Sequence, residues 1–286
     1  MKNVLVTGAE GQLGLSLQKI ASNFSQYNFI YTDKDDLDIC NPEELKAFFE
    51  SNDIYCVLHF AAYTAVDKAE EEMALAEKIN SEASLNIAKL CAEYKARLVY
   101  ISTDYVFEGK DCKPHQPQEE THPLSIYGKT KLKGEENCLK NNPLTFVIRT
   151  SWLYSEFKSN FVKTMINLSQ TRNELNVIYD QIGSPTYARD LADFVIRAIE
   201  HIDTNRILHF SNQGVCSWYD FARKAIELWG GKQIKINPIL TSQYPTLATR
   251  PKFSVFDKSE SEELLKIKIP HWEDSLKDCI KELKAQ

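Results

Sequence analysis

Glycine and proline are scarce in this sequence, ten of each among 286 residues, which excludes a collagen-like or low-complexity chain. No C-x-x-C pair occurs, and the seven cysteines are odd in number and widely spaced. They read as reduced thiols of a cytoplasmic protein, not as a disulfide framework. Long apolar runs are missing as well. The longest convincing one, Cys56 to Tyr63, is interrupted by His59 and is far too short for a bilayer. An apolar strand and a glycine turn open the chain, so no secretory leader and no membrane partner are expected. Positive charge is not in excess: 34 Lys and Arg against 40 Asp and Glu give a net charge of −6. The basic residues lie scattered among acids, so no nucleic-acid partner is expected.

What is present is an alternation of strands and helices. Asn3 to Thr7 is an apolar run that stops at Gly8, after which Leu13, Leu17 and Ile20 recur at helical spacing. Phe29 to Thr32, Cys56 to Phe60, Arg97 to Ile101 and Thr145 to Arg149 read as four further strands. Helices are expected from Asn41-Pro42-Glu43-Glu44, over Ala74 to Lys95, and from Ser125 to Leu139. Apolar strands with helices between them predict an α/β fold: a Rossmann-type parallel sheet covered on both faces. After Trp152 the pattern is less regular. A helix is expected over Asn160 to Leu168, a strand over Asn176 to Ile178 and a turn at Gly183-Ser184-Pro185. An amphipathic helix runs through Leu191 to Ile202, followed by a strand at Ile207 to Phe210. Trp218 to Trp229 is a helix ended by Gly230-Gly231, and two more lie near Lys258 to Leu265 and Trp272 to Leu283. The expected division is a cofactor domain over 1–151, with 183–210 contributing, and a smaller substrate region over 152–182 and 211–286.

Gly8, Gly11 and Gly14 form G-x-x-G-x-x-G between the first strand and the first helix. One glycine can make the turn, one can admit a pyrophosphate and one can pack the helix on the sheet. Gln12, Leu13, Asp38, Ala61, Ala62 and Tyr63 join them as candidate cofactor contacts. Asp33 ends the second strand, where an acid can accept from a ribose hydroxyl and repel an extra phosphate, whereas adjacent Lys34 can attract one. The choice between NADPH and NADH therefore stays open. Tyr127 and Lys131 stand four residues apart on one helical face. A neighbouring ammonium would lower the phenol's pKa and fit it to exchange a proton with an alkoxide. Thr103, at the end of the fourth strand, can donate to the same oxygen. Asp67 and Glu70 read as solvated acids without assigned chemistry.

With G-A-E-G-Q-L-G at 8–14, A-A-Y-T-A-V-D-K-A-E at 61–70, S-T-D-Y-V-F at 102–107, Y-G-K-T-K at 127–131, R-T-S-W at 149–152 and Arg250-Pro251, the chain resembles the extended short-chain dehydrogenase/reductases. Within them it is similar to the dTDP-4-dehydrorhamnose reductase family. The resemblance implies hydride transfer from NADPH or NADH to the C4 ketone of a dTDP-linked 4-keto-6-deoxy sugar, with Tyr127 as proton donor, Lys131 as its partner and Thr103 as second hydroxyl. It places substrate contacts at Asp104, Tyr105 and Trp152, and a diphosphate contact at Arg250. Another nucleotide-linked 4-keto sugar, or a non-catalytic reductase-like subunit, are the alternatives. Related dehydratases carry Asp-Glu after the strand-end Thr; here Asp104 is followed by Tyr105, which favours reduction over elimination. Some relatives form homodimers around a magnesium ion held by glutamates. This chain has Ser16 and Arg189 there, so no metal is expected, and a homodimer stays an open possibility.

Overall fold

The computed structural model describes residues 1–231 and 234–286. Six parallel strands make the central sheet: β1 (Lys2–Thr7), β2 (Tyr27–Thr32), β3 (Ile54–His59), β4 (Arg97–Thr103), β5 (Thr145–Thr150) and a sixth, Arg206–Phe210. Their spatial order is β2-β1-β3-β4-β5 and then the sixth strand. The chain thus starts mid-sheet, builds one edge, and crosses back to build the other. That reversal opens a crevice at the carboxyl ends of the strands.

Alternation along each strand decides what covers it. Val4 and Val6 face one layer and Leu5 the other, all fully buried. The first layer is α1 (Gln12–Ile20) with the helix Ala188–Ala198, whose Leu191, Phe194 and Val195 pack beside Leu13 and Leu17. The second contains Leu45 and Phe49 of the helix Pro42–Ser51, and Ile87, Ala88 and Cys91 of Ala83–Glu93. The cap expected at Asn41 is present, its side chain accepting from the Glu44 N–H, and Gly230 ends the helix Trp218–Trp229 with φ +76. A separate core of Tyr154, Tyr187, Phe221, Trp272 and Leu276 holds the carboxyl-terminal helices together.

Three features depart from the sequence reading. The single helix expected over Ala74 to Lys95 is broken by a π-helical turn, Lys78–Glu82, between Met73–Glu77 and Ala83–Glu93. Glycine and proline mark no such turn; the buried side chain of Asn80 does. Lys235–Ile239 forms a strand parallel to Glu174–Ile178, where alternation is short and interrupted by Pro238. Short strands also flank the turn at 183–185. Among the described residues, no helix is long and apolar enough to cross a membrane.

The helix Ile126–Asn141 lies unusually close to the sheet. A Cβ at Gly134 would stand 2.2 Å from the Tyr100 hydroxyl and 2.3 Å from the Asn80 carbonyl oxygen. Gly134→Ala should therefore destabilise the fold by about 1–3 kcal/mol through overpacking. Thermal melting checks this; an unchanged midpoint would mean that the helix can move outward.

Candidate active site

The crevice is a cleft of about 840 Å³. At one end, Gly8 has φ +65, and a Cβ there would lie 2.7 Å from the Ala61 nitrogen, so only glycine lets these backbones meet. Gly11 is the N-cap of α1, and no side chain caps that end. The first helical N–H groups are thus available to an anion. Gly14 lies behind the wall, where a Cβ would stand 2.4 Å from the Ala9 carbonyl oxygen; it seats the helix on the turn. Gln12 and Leu13 line the cleft, and the Gln12 side-chain oxygen accepts from Ser155 and Asn160, each at 3.0 Å.

Asp33, Lys34 and Asp38 line the same end. The Asp33 carboxylate accepts from the Glu10 N–H at 3.0 Å and the Lys34 N–H at 2.8 Å, which ties β2 to the glycine turn. Ala61 and Ala62 form the adjoining wall. Tyr63 does not belong to that wall: its hydroxyl donates to Glu72 at 2.5 Å, drawing the ring away. Asn80 instead fixes the Tyr63 backbone, accepting from its N–H at 2.8 Å and donating to its carbonyl at 3.1 Å. A turn for a pyrophosphate and carboxylates for ribose hydroxyls fit a dinucleotide.

At the other end, Thr103, Asp104 and Tyr105 close β4, opposite Tyr127 and Lys131 near the start of the helix Ile126–Asn141. Ser125 caps that helix by accepting from the Gly128 N–H at 3.1 Å. The Thr103 side chain faces the Tyr127 hydroxyl, and the Tyr105 and Tyr127 rings meet edge to face, 5.4 Å apart. Thr103 Oγ1 donates to Asp104 Oδ1 at 3.0 Å and accepts from the Tyr105 N–H at 3.2 Å. Trp152, at φ +50, lines the cleft and stacks on Trp218 with centroids 3.6 Å apart.

The electrostatics differ from the simple tyrosine–lysine expectation. Burial pushes the Tyr127 phenol up to about 12, with the Thr103 hydroxyl working the other way and a smaller upward contribution from the Asp104 charge. Burial also brings the Lys131 ammonium down to about 7, and that group lies 4.0 Å over the Tyr100 ring. In this structure Lys131 does not lower Tyr127. The phenol is fully protonated at neutral pH, the form a proton donor requires. Burial likewise raises the Asp104 carboxyl to about 6.

Several residues that pattern alone did not single out shape the site. Asn80 also donates to Thr130 at 3.1 Å, and Thr130 donates to the Tyr127 carbonyl at 3.0 Å. Glu70 accepts from the Ile126 N–H at 2.9 Å, anchoring the start of the Tyr127 helix. Arg250 is not on the cleft wall: its guanidinium forks onto Asp67, at 2.6 and 3.1 Å, and reaches the Ala248 carbonyl. In this structure the anion paired with that guanidinium is Asp67. The acids around Arg189 do not fit a magnesium ion. Arg189 contacts Glu156 at 2.7 Å and Glu282 at 3.2 Å, and Lys19 also bridges both acids, so cations of the chain already satisfy these carboxylates.

A parallel sheet reversed at its centre, a glycine turn at a helix start and a Tyr–Lys pair facing the same cleft define a dinucleotide-binding protein of the short-chain dehydrogenase/reductase type. The chain belongs, more narrowly, to the RmlD substrate binding domain family, whose model matches residues 1–285. It is 42% identical to the crystal structure of a dTDP-4-dehydrorhamnose reductase from Clostridium acetobutylicum, with a TM-score of 0.94 and 99% of each chain covered. It is 37% identical to the Bacillus anthracis enzyme solved in complex with NADP, at TM-score 0.94, covering 99% of this chain and 100% of that one. The Escherichia coli dTDP-4-dehydrorhamnose reductase is 36% identical, over 98% of both chains.

The Asp67–Arg250 pair generates a pH prediction. Arg250 first, and the Ala248 N–H with it, hold the Asp67 carboxyl below its ordinary 3.8. Its contribution is complete above the unfolded value and is lost as pH falls through the folded one. Melting curves of Asp67→Asn, Arg250→Gln and the double variant should show a coupling of about 1 kcal/mol at neutral pH. The coupling should vanish at strongly acid pH; one independent of pH would contradict an ionic pair.

Proposed function

We propose that this protein reduces the C4 ketone of dTDP-4-dehydro-β-L-rhamnose to dTDP-β-L-rhamnose, using NADPH or NADH. One observation carries the reading: Tyr127 and Thr103 sit with Lys131 at the strand ends, in the same cleft as the glycine turn. The bound nicotinamide supplies the hydride. Gly8, Gly11 and the start of α1 bind the pyrophosphate, and Asp33 orients the adenosine ribose. Tyr127 gives its proton to the C4 oxygen as negative charge develops there, a transfer worth about 10²–10⁴-fold. Lys131, when protonated, stabilises the resulting phenolate, and burial of the pair excludes water. Asp104, Tyr105 and Trp152 form the sugar wall, while Asp67 holds Arg250 and the 248–250 segment beside it.

The relatives' names support the nucleotide sugar, and the NADP complex of the Bacillus anthracis enzyme supports the cofactor. We read residues 1–151 with 183–210 as the cofactor half and 152–182 with 211–286 as the substrate half, acting as a homodimer. Acidic net charge and unpaired cysteines support a cytoplasmic compartment without a nucleic-acid partner.

Absorbance at the nicotinamide band, followed with a panel of dTDP- and other nucleotide-linked 4-keto sugars, tests the reading directly. Oxidation of NADPH or NADH with the dTDP-linked substrate is expected, and none with any keto sugar would favour a non-catalytic subunit. Tyr127→Phe should lower turnover by about 100-fold or more while cofactor still binds; wild-type turnover would remove Tyr127 as the donor. Asp33→Ala should change the ratio of NADH to NADPH affinities, and an unchanged ratio would deny Asp33 a ribose contact.

A further inference from the structure

The hydrogen-bond directions at Thr103 have a consequence for the ketone. A hydroxyl owns one proton. Here the Thr103 proton goes to Asp104 Oδ1 at 3.0 Å, and the oxygen accepts from the Tyr105 N–H at 3.2 Å. While Asp104 is ionised, the Thr103 proton therefore points toward the carboxylate, and Thr103 turns only lone pairs toward the cleft. A ketone oxygen is itself an acceptor, so it meets one donor, Tyr127, and a repelling Thr103 oxygen.

Resting on the reduction proposed above, we infer that Asp104 takes up a proton when the keto sugar binds, reversing its bond to Thr103 so that Thr103 becomes a second donor to the C4 oxygen. Asp104 is then a positioning residue for the Thr103 proton. Protonated Asp104 donates to Thr103 Oγ1, and Thr103 donates to the ketone. Hydride adds to C4 and the Tyr127 proton moves to the C4 oxygen. The Asp104 proton is not consumed; it leaves when the alcohol departs. The product hydroxyl can itself donate, so it accepts either direction of the Thr103 bond, and only ketone binding is coupled to the proton.

The surroundings suit this role. Asp104 is 3% exposed. Thr103 from β4 donates to it at 3.0 Å, and the groups coupled to its charge are Ser254 from the carboxyl-terminal segment, Tyr105 from its own turn, Tyr127 from the opposite helix and His115 from the 110–124 loop. Of these, His115 is the one that can oppose protonation by its charge, and its ring is bound to Glu119 at 2.7 Å. With its carboxyl already raised to about 6 by burial, Asp104 needs only a modest further bias. Lys131 lies one turn from Tyr127 and titrates near neutrality as well, so the test must separate the two.

Calorimetry of dTDP-4-dehydrorhamnose binding to the enzyme saturated with oxidised cofactor, in two buffers of different ionisation enthalpy near pH 7, reads the proton directly. Wild type should take up about 0.9 proton per site, the fraction missing from a group titrating about one unit lower. The alcohol product should take up none. In Asp104→Asn, with folding verified by melting, uptake should disappear and the KM for the ketone should lose its rise between about pH 6 and pH 8. No uptake by wild type overturns the inference without touching the reductase reading, which stands on turnover. Uptake that persists in Asp104→Asn assigns the proton to Lys131 and equally overturns it.

Discussion

The geometry of the cleft depends on one buried amide, Asn80, held in a π-helical turn. Its side chain grips both sides of the Tyr63 peptide and donates to Thr130. Its carbonyl accepts from Ser84 at 2.8 Å and from the Tyr100 hydroxyl at 3.1 Å. Ser84 therefore accepts from His59 Nε2, and the other ring nitrogen takes the Thr7 proton at 2.8 Å. Burial forces that imidazole neutral, down to about 3, which leaves one donor and one acceptor and so one consistent direction along the chain. Thr7 finally accepts from the Ala61 N–H at 3.2 Å. The ends of β1 and β3, the wall at 61–63 and the Tyr127 helix are thereby set by a single connected network.

Burial at that network also sets the protonation states. It penalises charge on every group: Tyr127 and Asp104 rise, and Lys131 falls. The Tyr127 phenol stays neutral as a result. Against burial, Cys138 and Glu135 favour the Lys131 charge, and the ammonium lies over the face of Tyr100. Glu135 is itself committed to a bidentate pair with Arg149, at 2.7 and 2.9 Å, so its charge is largely neutralised where it stands. Burial thus favours the neutral forms of the site's titratable groups.

Much of this was legible in the sequence because it is written in local periodicity. The five strands through Thr145–Thr150, the glycine turn and the capped helix at Asn41 follow from apolar spacing and cap chemistry over a few residues. Tyr127, Lys131 and Thr103 followed from their positions at strand and helix ends. Contacts between distant segments were not legible. Nothing near Tyr63 announces that its hydroxyl finds Glu72, and nothing near Arg250 announces Asp67, 183 residues away. The π turn was hidden for a related reason: its neighbours are good helix formers, and only tertiary partners reward the displaced Asn80. The strand at Lys235–Ile239 has too little alternation to be read without its partner at Glu174–Ile178.

The segment after β3 shows how long-range contacts turn ordinary acids into structural devices. Asp67 and Glu70 belong to one short helical stretch yet reach opposite ways: Asp67 to Ala248 and Arg250, Glu70 to the first N–H of the Tyr127 helix. Exposed acids are normally worth little, but each of these accepts from a backbone N–H that otherwise has no helical or sheet partner. A residue that satisfies such a group fixes where its segment starts. The stretch therefore works as a bracket, joining the wall beside Ala61 to the carboxyl-terminal segment on one side and to the helix Ile126–Asn141 on the other.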